Sequence, residues 1–506
     1  MKIVSALFFS VLLHFSTVAA AAELKVIKNQ FRASFEQVTL PPNESMGLLG
    51  INYLLKPTNY FYYGLGIYGA VTGDRGGFFT GGLEVGLQYK LAQSVVIDLG
   101  GFAGGGGGGA APQGGGAMLR PHIDIYYEKN RYRMGLSYNR VSFPNGDIES
   151  DQFGLVMETA FDTFLLPGHL VKNTNANDAG FLELKRANTA YRLFTPQLTY
   201  YHPRGSRAGR GDVIHEESIK VLGIRWRQHV GSVFWNEFET GGSWGGGTDG
   251  FAQVLFGKGA RFPLVARTYF VTGAMLGAAG GGNVDTGGGV IARAYAGIHY
   301  FVSKHWMLGL ESGWTQAIDG EFAALTSVIN MGYQYQILFP SPAVEGQYKV
   351  NNWAKYRIRA GVQRYSHYQG NGRKDDSLPG LAIDQTALKI DYYLSHNLFV
   401  SGQALAAYRG DVGGYAVGLV GAGIEQALVK NNALNIGLEL LVGAAGGGGV
   451  SVGEGSIVQP MLNFNARIKN DYYIGVGLGY IYAPSGDFSA LVSDINVEYR
   501  FSVPHS

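Results

Sequence analysis

Apolar and polar residues alternate along most of the chain. Leu83-Glu84-Val85-Gly86-Leu87-Gln88-Tyr89-Lys90 is one such run, and Lys355 to Val362 and Asp494 to Phe501 repeat the pattern. A period of two is the signature of a β-strand with two unlike faces. A 3.6-residue apolar stripe stands out nowhere, although residues 170–188, rich in Ala and Asn, read ambiguously. The pattern therefore predicts an all-β protein. The alternating segments are about ten residues long, the length of a tilted membrane-crossing strand. Tyr and Phe gather toward segment ends, as in interfacial girdles, and the second face carries Arg, Glu, Asp and Lys. A soluble barrel is apolar inside, whereas a transmembrane barrel is apolar outside and polar within. The expectation is a transmembrane antiparallel β-barrel.

The first 22 residues read as a signal peptide: Lys2, an apolar run from Ile3 to Phe15, and small residues from Val18 to Ala22. Downstream, charges such as Arg267, Arg293 and Glu439 interrupt every candidate for an apolar helix of ~18 residues. The exported chain then crosses a membrane as strands, with a secreted or periplasmic sheet protein as the alternative.

The chain also repeats itself. Gly277-Ala278-Ala279-Gly280-Gly281-Gly282 recurs as Gly443 to Gly448, with Gly104 to Gly109 as the upstream counterpart. Gly73-Asp74-Arg75-Gly76-Gly77-Phe78 recurs as Gly410 to Tyr415 and more loosely as Gly247 to Phe251. Pro167, Pro340 and Pro504 close successive copies, at spacings of 173 and 164 residues. Three modules follow, 23–168, 169–341 and 342–506, each of about eight strands. Two closures are compatible with this count. The first is one barrel of about 22–24 strands, favoured by the short linker at 338–348; the second is three tandem eight-stranded barrels. Turns sort onto two rims. One carries Lys129-Asn130, Lys304-His305 and Lys469-Asn470. The other, expected to face outside, carries the Gly runs, the Gly-Asp turns and two basic loops at 202–210 and 370–376.

The signal peptide, the ~10-residue alternating segments and the ending Tyr499-Arg500-Phe501 together resemble Gram-negative outer-membrane β-barrel proteins. One departure is that Ser502 to Ser506 follow the terminal aromatic residue on which members of that class usually finish. The resemblance implies outer-membrane lipid and the barrel assembly machinery as partners, and leaves any export partner unidentified.

Composition narrows the function classes. The chain has 77 Gly, 31 Tyr and no Cys among 506 residues, with a net charge of +2. Thiol chemistry and disulfides are excluded. The basic footprint of a nucleic-acid binder is missing.

Candidate pore-lining residues are Arg225, Arg227 and His229 on one strand and Glu237 and Glu239 on the next, with Arg357, Arg359, His122 and Asp124 elsewhere. A turn centred on Ser232 sets Arg227 opposite Glu237 and Arg225 opposite Glu239. His122 and Asp124 share a face, but no partner strand with paired Asp residues stands out, and the other modules hold Ala292-Ala294 and Met461-Asn463 nearby. The rim turns with Asp74, Asp249 and Asp411 read as Asp-Gly hairpin chemistry, with too few oxygens each for a tight calcium site. No Gly-x-Ser-x-Gly elbow or His-Glu-x-x-His run is present, so no catalytic residue, metal or cofactor is expected. The leading expectation is a passive or export channel for polar solutes, polymers included. A structural or adhesive surface protein with an exposed Gly-rich rim is the alternative, and a barrel-embedded hydrolase is third.

Overall fold

The computed structural model describes residues 25–168, 182–185, 187–204, 217–340, 347–350, 352–367, 382–429 and 432–505. The signal peptide, most of the 169–190 insert, residues 205–210 of one basic loop and the whole of the other lie outside the described residues. The described residues contain no α-helix.

Barrel 1 is built from β1 (Lys25–Leu40), β2 (Glu44–Lys56), β3 (Phe61–Thr72), β4 (Phe79–Ala92), β5 (Val95–Gly107), β6 (Met118–Lys129), β7 (Tyr132–Ser142) and β8 (Glu149–Pro167). After the short β9 (Leu182–Lys185), barrel 2 comprises β10 (Ala187–Pro203), β11 (Ile219–Val230), β12 (Phe234–Gly245), β13 (Ala252–Val265), β14 (Thr268–Gly280), β15 (Val290–Phe301), β16 (Trp306–Ala317) and β17 (Ala323–Pro340). The short β18 (Gln347–Val350) precedes barrel 3: β19 (Asn352–His367), β20 (Ile383–Tyr393), β21 (Leu398–Arg409), β22 (Ala416–Ala427), β23 (Leu434–Gly446), β24 (Ser456–Lys469), β25 (Tyr472–Tyr482) and β26 (Ser489–His505). Every neighbouring pair is antiparallel.

The single wide barrel is not what forms. β1 pairs with β8 from Lys25↔Leu165 to Glu36↔Gly154, β10 pairs with β17, and β19 pairs with β26. Each set of eight strands closes on itself, so the alternative closure, three tandem eight-stranded barrels, forms in place of the favoured single barrel. Once β8 returns to β1, barrel 1 has no open edge for β10 to extend. The short linker does not prevent separate barrels, because the ends it joins lie together. Phe501↔Pro167 and Ser502↔Leu166 link β26 to β8, and Ile337↔His505 links β17 to β26. The two linkers even pair with one another, β9 against β18. Ser502 to His505, foreign to the usual class ending, are thus part of β26 and of this three-way joint.

At the opposite rim the barrels dock through glycine. The Gly76 N–H donates to Gly287 O at 2.9 Å, joining barrels 1 and 2, and the Gly414 N–H donates to Gly106 O at 3.1 Å, joining barrels 3 and 1. The Gly246 N–H donates to Glu454 Oε2 at 2.6 Å, joining barrels 2 and 3. Gly77, Gly250 and Gly414 occupy equivalent turns with φ of +87°, +87° and +90°. A Cβ at each would strike the backbone of Gly281, Gly447 and Gly108 in the neighbouring barrel. Only glycine meets both demands, of dihedral and of space. The arrangement is cyclic: 1 on 2, 2 on 3, 3 on 1.

Candidate functional site

The strand alternation sends every second side chain into a lumen, and the interior of an eight-stranded barrel is just wide enough for side chains to fill. Polar residues meet there in all three barrels.

In barrel 2, Arg225 donates to Glu239 at 2.7 Å and to Glu311 at 2.6 Å. Arg227 donates to Glu237 at 3.1 Å and to Glu311 at 2.6 Å, and Arg293 to Glu239 at 2.8 Å. The backbone register is the expected one, Arg225↔Glu239 and Arg227↔Glu237. His229 stands edge-on to Trp235, below Arg227. In barrel 3, Arg357 binds Asp391 and Glu425, each at 2.6 Å, and Arg359 binds Asp391 at 2.8 Å and Glu439 at 3.0 Å. Lys389 binds Asp494 at 2.7 Å. In barrel 1, Arg32 contacts Asp98 at 2.5 Å and Glu158 at 2.7 Å, while Arg120 grips Glu36 with two donors at 2.7 and 2.6 Å.

All nine proposed pore-lining residues therefore face inward, but they occupy three lumens rather than one. They are also buried, so they fill the lumens instead of lining an open passage. His122 also has carboxylate neighbours on other strands. Asp98 faces Asp124 directly across β5 and β6, and Glu84 approaches from β4. The inventory from sequence also missed Arg32, Arg293, Glu311, Asp391, Glu425 and Glu439. Each sits on the charged face of its strand, and that alternation was the available signal.

Toward the glycine rim each lumen ends in an apolar cluster. Tyr201, Phe251 and Phe322 form it in barrel 2 and Tyr365, Tyr415 and Phe488 in barrel 3, with ring centroids 5.5–6.5 Å apart. Val38, Phe78, Phe143 and Ile148 belong to the counterpart in barrel 1. Asp74, Asp249 and Asp411 lie just above, in the turns that carry the docking glycines. The docking glycines make part of that rim a barrel–barrel junction, while Asp74 and Asp411 are exposed.

The outer wall has the opposite character. Phe153 is 75% exposed, and Leu136, Met134, Leu310 and Leu478 are also exposed, whereas Arg225 and Glu239 are 0% exposed. Tyr127 and Tyr132 at one end of β6 and β7, Tyr300 and Trp306 between β15 and β16, and Tyr480 and Tyr482 on β25 mark the edges of this apolar band. Apolar outside, charged inside and closed against unpaired edges is the polarity of a lipid-embedded barrel. The described strands thus form β-barrels with the polarity of a membrane-embedded protein.

No family model matches the chain, and no curated protein matches it significantly. Among solved structures it is similar to a ferric enterobactin receptor from Pseudomonas aeruginosa, at 9% identity over 95% of this chain and 82% of the other, with a TM-score of 0.27. OccAB3 from Acinetobacter baumannii matches at 10% identity over 95% and 100% of the chains, with a TM-score of 0.21. OccK8 (OprE) from Pseudomonas aeruginosa matches at 8% identity over 95% and 98%, with a TM-score of 0.22. Likenesses at this level carry no argument about function.

Proposed function

We propose that the protein is an outer-membrane channel for small polar solutes, with three narrow lumens in parallel, each closed by its own buried ion pairs. The observation that carries this reading is the charge on the inner walls. Packed apolar residues would fill an eight-stranded interior as well, since replacing buried ion pairs by them is often neutral or stabilising. Retaining charge along three separate lumens suits an electrostatic path. Opening requires an arginine to change carboxylates, and Arg32 has Glu84 at 3.5 Å and Asp124 at 3.9 Å beside its two closest partners. Polymer passage is not part of the proposal, because a lumen of eight strands has no room for a chain.

A sealed membrane scaffold is the second reading, favoured by the apolar cluster above each ion network. Planar-bilayer recording separates the two. The channel reading expects small, discrete conductance steps that change size in Arg225→Gln. A folded, inserted protein that stays silent across the accessible voltage range would overturn it in favour of the scaffold.

A further inference from the structure

The lower end of each lumen, toward the rim of Lys and Asn turns, is built on one plan with different chemistry. The ladder Tyr62↔Gly86↔Gly100 in barrel 1 matches Trp235↔Gly259↔Gly273 in barrel 2 and Phe399↔Gly423↔Glu439 in barrel 3. The last members precede Gly104, Gly277 and Gly443 by four residues each, so the three copies are in register. In all three, the tip of the aromatic side chain lies over the glycine of the fourth strand. Tyr62 Oη covers Gly86, Trp235 Nε1 covers Gly259 and Phe399 Cζ covers Gly423.

In barrel 1 that tip has an acceptor. Tyr62 Oη donates to Asp98 Oδ1 and Gln88 Nε2 donates to Asp98 Oδ2, each at 2.8 Å. A carboxylate of the fifth strand thus joins donors from the third and fourth. In barrel 2 the two donors remain and the carboxylate is gone. The same offsets put Arg261 at the place of Gln88 and Val271 at that of Asp98. Trp235 is 2% exposed, and its Nε1 has no partner among the described residues. An indole N–H can only donate, so what it lacks is an acceptor. Arg227 Nη1 and His229 Nδ1, buried against the same indole, also have no partner there. Barrel 3 needs no acceptor, because Phe399 has nothing to donate.

The charge of this layer changes sign as well. Barrel 1 has Asp98 and Glu158, and barrel 3 has Glu425 at the place of Arg261 and Glu498 at that of Glu158. Barrel 2 has Val271, Arg261 and Gly332 at these places, and Leu193 and Met307 close over Gly332. Among the described residues Arg261 pairs with no carboxylate. Its Nε donates to Ser232 O at 3.2 Å, and its guanidinium lies 5.2 Å over the Tyr269 ring. The carboxylates higher in the lumen, Glu237, Glu239 and Glu311, are already taken by arginines. One positive charge is left over, beside a buried donor that lacks an acceptor.

We propose that the lower lumen of barrel 2 binds one small monovalent anion, of halide or formate size, between Trp235 Nε1 and Arg261. The anion supplies from solution the acceptor that Asp98 supplies from the chain in barrel 1. Arg261 is part-exposed, so the site opens at the lower rim. Binding there does not require the lumen to conduct.

The test titrates chloride into the full folded chain in uncharged detergent micelles and follows the chloride NMR linewidth, which broadens when the ion is held by protein. The expected result is one saturable component that sodium formate displaces. Arg261→Gln and Trp235→Phe should each weaken it ~10-fold or more, the loss of a hydrogen bond to a charged group. Val271→Asp, which ties a carboxylate into the site, should abolish it. Lys258→Gln, an exposed cation on the outer face of the same strand, should leave it unchanged. Gln, Phe and Asp already stand at the equivalent positions of the sister barrels, and heat-modifiable gel migration checks that each variant is folded. Should Val271→Asp not fold, the other two variants decide. A wild-type chain with no saturable, formate-displaced component would overturn the proposal. So would a component that the folded site variants leave as strong as in the wild type.

Discussion

Barrels 1 and 2 share a strand plan, a docking rim and an apolar cluster beneath it, yet their lumens solve the problem of buried charge differently. In barrel 2 three arginines interlock with three glutamates, and each of Glu239 and Glu311 has two arginine partners. In barrel 1 the central layer of Glu84, Asp98, Asp124 and Glu158 gathers around Arg32, while Arg120 serves Glu36. One lumen shares its glutamates among three interlocked arginines, and the other gathers most of its central carboxylates around Arg32, with Arg133 meeting only Glu158 at the lower edge. The difference teaches that the triplicated frame fixes where charge is placed but not how it is matched.

The sharpest way to break this comparison is to remove the central arginines. Arg32→Met should destabilise by about 5 kcal/mol, the upper end for breaking a buried ion pair, because Asp98 loses its arginine and Glu158 keeps Arg133 alone. Arg225→Met should cost nearer 3 kcal/mol, since Arg293 still serves Glu239 and Arg227 still serves Glu311. Urea titrations of folding into lipid vesicles measure both, and equal losses would end the claim of redundancy.

A second test asks whether the lumens are independent units joined at the rim. A Cβ at Gly446 would meet the backbone of Gly250 and Asp249 in the neighbouring barrel, whereas one at Gly418 would meet nothing within 4 Å. Gly446→Val should cost about 3 kcal/mol and loosen barrel 2 from barrel 3, as overpacking of a close contact does. Gly418→Val should be near neutral on the same titration. A protease-sensitivity map locating the loosening elsewhere than this junction would count against the docking role of the rim.

The smallest effect separates a carboxylate held by two arginines from one at the edge of the Arg32 network. Glu239→Gln removes a partner of both Arg225 and Arg293 and should cost about 2 kcal/mol. Glu84→Gln should cost about 1 kcal/mol, because Glu84 meets Arg32 only at 3.5 Å. Equal losses on the same titration would show that Glu84 is held as firmly as Glu239.

Much of this was legible from the residues. Period-two alternation gave the strands and told the inward from the outward face. The short turn at Ser232 fixed Arg225 against Glu239, because a hairpin sets its own register. Alternation also put Asp98 and Glu84 on charged faces, but their meeting with His122 was hidden. Asp98↔Asp124 crosses the long glycine-rich connection between β5 and β6, and Glu84 arrives from one strand further away.

By itself, the sequence determined the local periodicity, the polarity of the two strand faces and the threefold repetition, since each depends on neighbours in the chain. Tertiary structure alone decided that β1 closes with β8 rather than opening into a wider ring. It also brought the glycine-rich rims of neighbouring barrels together, and gathered Glu84, Asp98, Asp124 and Glu158 around Arg32. These follow from strand tilt and stagger around a closed cylinder, which bring together side chains more than a hundred residues apart, such as Arg32 and Glu158.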